Sequence, residues 1–351
     1  MKKIFGLILA TVLVFVLSAC NSVPTYEIAL VTDHGPIDDR SFNQGAWEGV
    51  EAYAEEHDIT YTYYRPAEDS GSARLDAIRL AVDSGAKVVV TPGFAFGEAV
   101  YQAQDEFPDV KFILLDTQPS LDGDTNIADN TVSIFYAEEQ AGFLAGYAAV
   151  KNGFTDLGFF GGISVPAVIR FGIGFLEGAE YAAEEDDVDV TVHYKYLGTF
   201  AAVPENKTLA SSWFNSGTEV IFSAAGGAVN NAISAAEEAT GKWVIGANVD
   251  QQDMSDTVLT SAQKLLKNSV YLVLEQYYND EFPGGEALTL DASQDGIGLT
   301  LDFSRYDTFT EAQYNAILDD LVDGTIIVTS DFTIDINSDL DLTRVTLIFE
   351  E

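Results

Sequence analysis

The chain has 351 residues, 47% apolar and 12% aromatic, which excludes a disordered chain and leaves material for two domain cores. Its 56 acidic residues against 17 basic ones give a formal net charge of −39, which excludes attraction to a nucleic-acid backbone or an anionic lipid surface. A single cysteine, Cys20, excludes an intramolecular disulfide, so stability must come from packing. The acid is spread along the chain, as in Glu184-Glu185-Asp186-Asp187, Asp319-Asp320 and Asp339-Leu340-Asp341, rather than gathered in a tail. Such a surface is well solvated. It also suits high-salt or alkaline surroundings, where self-repulsion is screened.

The chain opens on Lys2-Lys3, an apolar run from Ile4 to Leu17, and then Leu17-Ser18-Ala19-Cys20. A positive start, a short apolar core and small residues before a cut make residues 1–19 a secretory signal. The apolar run is shorter than the ~20 residues that span a bilayer. Its ending on Leu-Ser-Ala-Cys resembles the lipobox of bacterial lipoproteins. That resemblance implies cleavage before Cys20, lipidation of its thiol, and a polar spacer, so that residues 20–25 tether the body to a membrane it does not cross. The alternatives are an uncleaved anchor, or a signal with a chance cysteine.

Beyond the spacer, short apolar runs alternate with helical patterns. Residues 27–32 read as a buried strand and 41–56 as a helix, with Ser41 as its N-cap and Phe42, Ala46, Val50 and Tyr53 on one face. Strands follow at 61–64, 87–91, 111–115 and 131–135, with helices at 73–84 and 95–106 between them. A small-residue helix over 137–150, carrying Gly142-x-x-x-Gly146, leads to a second series. That glycine pair predicts close packing against a sheet or neighbouring helix, because Glu138, Glu139 and Lys151 flank it too closely for a membrane span. The second series has strands at 157–161, 188–196, 220–223 and 243–247, with helices at 166–184, 206–216 and 228–239. Alternation of this kind predicts parallel sheets covered on both faces, here in two lobes of similar pattern. In the tail, 280–295 reads as loop around Pro283-Gly284-Gly285. Residues 297–303, 326–330 and 344–349 have β-patterning, and 311–323 reads as a helix.

Ligands of parallel sheets bind beyond the carboxyl ends of the strands. Those positions hold Asp33 to Gln44, Gly93 to Phe96, Asp116, Gly161-Gly162, Gly198-Thr199-Phe200, Gly226-Gly227 and Asn248 to Gln252. Carboxylates accept hydrogen bonds from hydroxyls, phenylalanine faces suit a flat heterocycle or a sugar, and glycines admit close backbone approach. Each residue also has a plainer reading: Asp33, Asp116 and Asp250 as turn formers, Phe42 as core, Gly226 as part of a tight turn. Three aspartates after three different strands favour a binding site.

The block Ala29-Leu30-Val31-Thr32-Asp33-x-Gly35-x-Ile37-x-Asp39-x-Ser41-Phe42-Asn43-Gln44-x-Ala46-Trp47-Glu48-Gly49 resembles the opening signature of the basic membrane protein family. These are substrate-binding lipoproteins of ABC transporters, including the PnrA-like purine-nucleoside binders. Leu114-Leu115-Asp116, residues 141–149, Gly172-x-Gly174-Phe175-x-x-Gly178, Ile245 to Gln251 and Leu259 to Lys264 are similar to further family motifs.

The resemblance implies an α/β, type I periplasmic-binding-protein fold: two doubly wound parallel-sheet lobes joined by a three-segment hinge. Lobe 1 would comprise 26–136 plus about 262–296, and lobe 2 would comprise 137–261 plus about 297–351. By motif, Asp33 and Asn43 would meet a base edge. Phe42 would stack on the base, opposed by Phe200. Asp116 and Asp250 would bind polar groups such as ribose hydroxyls, Gly226 would offer backbone, and Lys264 a donor. Asn248, where the family commonly has aspartate, and His34-Gly35-Pro36 depart from the pattern. The implied protein is a monomer without cofactor or metal, lipid-anchored on the extracytoplasmic face of the cell membrane, delivering its ligand to a permease. A sugar or other small polar ligand, or a structural or adhesive surface role, are the alternatives. Catalysis has little support: His34, His57 and His193 lie in unrelated settings, and no metal spacing, triad or phosphate-binding glycine loop is present.

Overall fold

A computed structural model describes residues 25–350; the signal segment and Cys20 lie outside the described residues. The first half runs β1 (Ile28–Val31), α1 (Phe42–Glu56), β2 (Tyr61–Tyr64), α2 (Gly71–Asp83), β3 (Val88–Pro92), α3 (Gly97–Glu106), β4 (Lys111–Leu115), β5 (Ser120–Leu121), β6 (Asp124–Thr125) and β7 (Thr131–Tyr136). After α4 (Glu138–Lys151) come β8 (Asp156–Gly161), α5 (Pro166–Asp186), β9 (Val190–Tyr196), α6 (Pro204–Ser216), β10 (Val220–Ala224), α7 (Val229–Glu237), β11 (Trp243–Asn248) and β12 (Val258–Lys264). The chain closes with α8 (Leu266–Tyr278), β13 (Ala287–Leu290), β14 (Ile297–Leu299), α9 (Glu311–Val322) and β15 (Val345–Glu350).

Two large sheets result, one per lobe, besides the two-stranded antiparallel pair β5–β6. The first has the order β13-β7-β4-β3-β1-β2 and is parallel throughout. The second has the order β14-β12-β11-β10-β8-β9-β15, parallel except for β14 on β12. Central strands such as β1 and β3 are buried along their whole length, as expected where helices cover both faces. In each sheet one early strand is flanked on both sides by later ones, β1 by β2 and β3, and β8 by β9 and β10. Crevices for ligands open at such reversals of strand order.

The chain passes between the sheets three times: from β7 into α4, at Leu265 between β12 and α8, and between β13 and β14. The second passage follows the whole of β12, where the expectation was about 262. Helix α8 returns to the first lobe and packs along α1. The Gly142–Gly146 face of α4 packs on α5. A Cβ at Gly142 would lie 2.2 Å from the Phe171 carbonyl oxygen, and one at Gly146 would lie 2.2 Å from that of Phe175.

Three local expectations are corrected. The supposed loop 280–295 contains β13, an edge strand of only four residues with one neighbour, too short and too exposed to show a buried run. The β-patterned 326–330 is irregular. The Glu177 carboxylate takes the Thr329 N–H at 2.8 Å and its hydroxyl at 2.6 Å, in place of a partner strand. Ser41 precedes α1 but makes no side-chain cap. The Asp39 carboxylate instead accepts from the N–H groups of Ser41, Asn43 and Gln44 at 2.8, 3.0 and 3.1 Å. Asp39 meets the orphan donors of the first turn, which an anion stabilises further.

Candidate ligand-binding site

On the first lobe, the β1–α1 turn supplies Asp33, Phe42 and Asn43. One oxygen of Asp33, Oδ1, accepts from the N–H groups of His34 and Gly35, each at 2.7 Å, and from Asn43 Nδ2 at 2.9 Å. Its Oδ2 makes no hydrogen bond to the described residues and lies on the side of Gly93, where an added Cβ would be 4.0 Å from it. Asn43 is buried, and its amide protons go to Asp33 and Asp39. Phe42 is half-buried at the start of α1, its ring 5.0 Å from the Lys264 ammonium.

Lys264 ends β12 at the passage between lobes. Its side chain is 2% exposed and its Nζ lies 2.6 Å from Asp116 Oδ2 and 2.7 Å from Glu138 Oε1. Tyr136 and Phe171, with Phe42, complete a ring of aromatic faces around it. Glu138 in turn accepts from Arg170 Nε at 2.7 Å, and Glu139 stands 3.6 Å from the same nitrogen. The cluster joins the first lobe (Asp116), the second (Arg170) and two hinge segments. Burial lowers the affinity of Lys264 for its proton, but the two carboxylates outweigh it and the net shift is upward. Asp116 is pushed up to about 6 by burial and by Glu138, against the pull of Lys264. Its Oδ1 is buried without a hydrogen-bond partner.

Glu139 is pushed up from 4.5 to about 7, first by burial and then by Glu138. Over that window the folded protein keeps a proton the unfolded chain has lost, so stability falls as pH rises through it. Replacing Glu139 by Gln should remove that fall. Relative to wild type, the variant should gain on the order of 2 kcal/mol between pH 5 and pH 8 in denaturant unfolding. Parallel pH profiles for the two proteins would refute this.

On the second lobe, Phe200 is half-buried above the ends of β8 and β10. A Cβ at Gly162 would lie 2.3 Å from its ring, and one at Gly226 would lie 3.3 Å from its Cβ. Only glycine fits beneath that ring. Asp250 is exposed, and its Oδ1 accepts from the Thr300 hydroxyl at 2.9 Å and the Gln252 N–H at 3.0 Å. Its neighbours bind the other lobe: Asn248 Nδ2 donates to Ser41 Oγ at 2.9 Å and Gln251 Nε2 to the Arg40 carbonyl at 2.7 Å. Asn248, the departure noted in the sequence, thus holds the turn that carries Phe42.

The structure therefore brings the candidates into three groups: Asp33 with Asn43, Phe42 with Asp116 and Lys264, and Phe200 with Gly226. Asp250 bonds to none of the others directly. Sequence reasoning missed Asp39, Glu138, Arg170 and Thr300. Glu138 and Glu139 could have been found by asking why two carboxylates open a helix that is otherwise small and apolar.

Solved structures share this architecture. An ABC transporter solute-binding protein from Aeropyrum pernix K1 superposes with TM-score 0.69 at 23% identity, covering 88% of each chain. One from Conexibacter woesei gives TM-score 0.72 at 22% identity, covering 87% of this chain and 99% of that one. The fold is thus that of the two-lobed ABC solute-binding proteins. Residues 27–330 match the family described as ABC transporter substrate-binding protein PnrA-like, and the chain belongs to that family. An "ABC transporter nucleoside-binding protein BmpA" of Lactococcus lactis is 30% identical, over 87% of this chain and 89% of the relative. A "CD4+ T-cell-stimulating antigen" of Listeria monocytogenes is 28% identical, over 93% and 98%.

Proposed function

We propose that this substrate-binding protein captures a purine nucleoside between its lobes and delivers it to the permease of an ABC importer. The observation that carries the reading is that one turn, between β1 and α1 at a strand-order reversal, carries both an open carboxylate oxygen on Asp33 and the half-buried ring of Phe42. A base has both a flat face and polar edge groups, and this pair complements both. Phe200 over Gly162 and Gly226 supplies a second aromatic surface from the other lobe. Asp116, with its unpartnered buried oxygen, offers an acceptor for a ribose hydroxyl. The name of the Lactococcus lactis relative supports the same class. A ligand touching both lobes stabilises the closed form by the contacts that only this form completes.

Thermal-shift and calorimetric titration with inosine, guanosine and adenosine test this. Binding should raise the melting temperature by mass action, and Phe42→Ala should weaken it by about 1–3 kcal/mol. No shift with any of the three, alongside a shift with a sugar, would replace the reading.

We infer further that a lipid on Cys20 tethers the protein on the outer face of the cytoplasmic membrane. No helix among the described residues is long and apolar enough to cross one. Cys20→Ser should release the protein into the soluble fraction. A variant that stays with the membrane would argue for another anchor.

A further inference from the structure

Asn43 lies where a direct ligand contact was expected, yet it has little left to offer. Its Nδ2 carries two protons; one goes to Asp33 Oδ1 at 2.9 Å and the other to Asp39 Oδ2 at 3.0 Å. Its Oδ1 accepts the Asp33 N–H at 3.3 Å. The two carboxylates fix which end of the amide is the donor, since an amide oxygen turned toward them would only repel. Asp39 is itself held from four directions: the N–H groups of Ser41 and Gln44 on one oxygen, the N–H and side chain of Asn43 on the other. The turn has no slack. A Cβ on Gly35 would stand 2.9 Å from Asn43 Nδ2 and 3.1 Å from Asp33 Oδ1. The result is a chain of hydrogen bonds from the first turn of α1 to the tip of β1. It ends on a carboxylate with one oxygen committed to three donors and the other open.

We propose that Asp39 is the positioning residue that sets the specificity of this site: acting through Asn43, it aims the open oxygen of Asp33 at an N–H donor on the ligand. Neither Asp39 nor Asn43 touches the ligand. A carboxylate oxygen can only accept, so the site prefers a base that presents an N–H there and disfavours one that presents only acceptors or C–H. An asparagine at 39 would turn an amino group against the donors that now converge on it. Asn43 would lose its second anchor, and Asp33 would be left with only the His34 and Gly35 N–H groups of its own turn to orient it.

This inference rests on the nucleoside reading, and its test separates the two. Wild type, Asp39→Asn, Asn43→Ala and the double variant are titrated calorimetrically with inosine, guanosine, adenosine and purine riboside, whose base carries no N–H. Wild type should prefer at least one N–H-bearing nucleoside over purine riboside by at least about tenfold, the scale of a hydrogen bond to a charged group. In Asp39→Asn that ratio should fall below about threefold while purine riboside still binds, and the double variant should be no worse than the weaker single. Hydrogen exchange of the ligand-free proteins should quicken at His34 and Gly35 as well as at residues 41–44. A wild-type ratio in Asp39→Asn, or faster exchange confined to 41–44, would reduce Asp39 to a helix cap and overturn the proposal. Should Asp39→Asn fail to fold, Asn43→Ala carries the same ratio test. Wild type binding nucleosides without preference would also overturn it. Wild type binding no nucleoside at all would reject the function and this inference together.

Discussion

Lys264→Met should cost about 3–5 kcal/mol of folding stability, because it leaves buried carboxylates without their cation. Asp116 and Glu138 both face the Lys264 ammonium at under 3 Å, with side chains 12% and 0% exposed. Arg170 would still serve Glu138, but Asp116 makes no other ion pair among the described residues, and its second oxygen is already unpartnered. Met keeps most of the volume, so the loss reads charge rather than a cavity. The melting temperature at pH 7 should drop by roughly 10 °C. Acid should restore part of it. Without the lysine Asp116, already raised by burial, holds its proton more firmly in the fold than in the unfolded chain, and stability returns as pH falls through that range. A drop of under about 1 kcal/mol would show that water reaches the cluster freely.

Gly174→Ala is the second large effect. A Cβ there would stand 1.8 Å from the Glu139 carbonyl oxygen and 2.8 Å from the Phe143 nitrogen. Gly178 on the same face of α5 would place one 2.0 Å from the Phe143 carbonyl oxygen. The obstacles are backbone atoms of α4, so no rotamer change relieves them, and the helices must separate. Overpacking of this kind costs at least about 3 kcal/mol, at the upper end of its usual range. Helix α4 also carries Glu138 into the Lys264 cluster, so ligand affinity should fall with stability. A melting temperature unchanged in scanning calorimetry would mean that the helices are not held at this distance.

What the sequence made visible follows from burial. The runs that became β1, β3, β4, β8 and β10 are apolar because both faces are covered, and they stand out from their polar surroundings. The glycine pair of α4 announced a close approach but not its partner, which lies on the next helix. Strand β13 was hidden because an edge strand alternates and resembles loop. Among the candidate site residues, Asp33 and Phe42 stand out in the sequence by their place after a buried strand. Glu138 was not: a carboxylate at a helix start is usually a solvated partner of the dipole. Only tertiary contacts make it otherwise, through Arg170 and a lysine on β12 that the chain delivers much later. Asp39 was hidden by the serine two residues on, an equally good capping residue that stands immediately before the helix.

The interleaving of the lobes also constrains how the chain can fold. A chain emerging N-terminus first offers an open edge at β7 until β13 arrives, and another at β9 until β15, the last strand, arrives. Neither lobe can close its sheet early, and each waits for a strand supplied after the other lobe has begun. Open edges of buried, apolar strands are templates for pairing with a second chain. The strand that covers β9 lies beyond residue 330, where the family match ends. Residues Val345–Glu350 thus cover an edge that a chain stopped short of them would leave open, and the half-exposed β15 becomes the edge in its place.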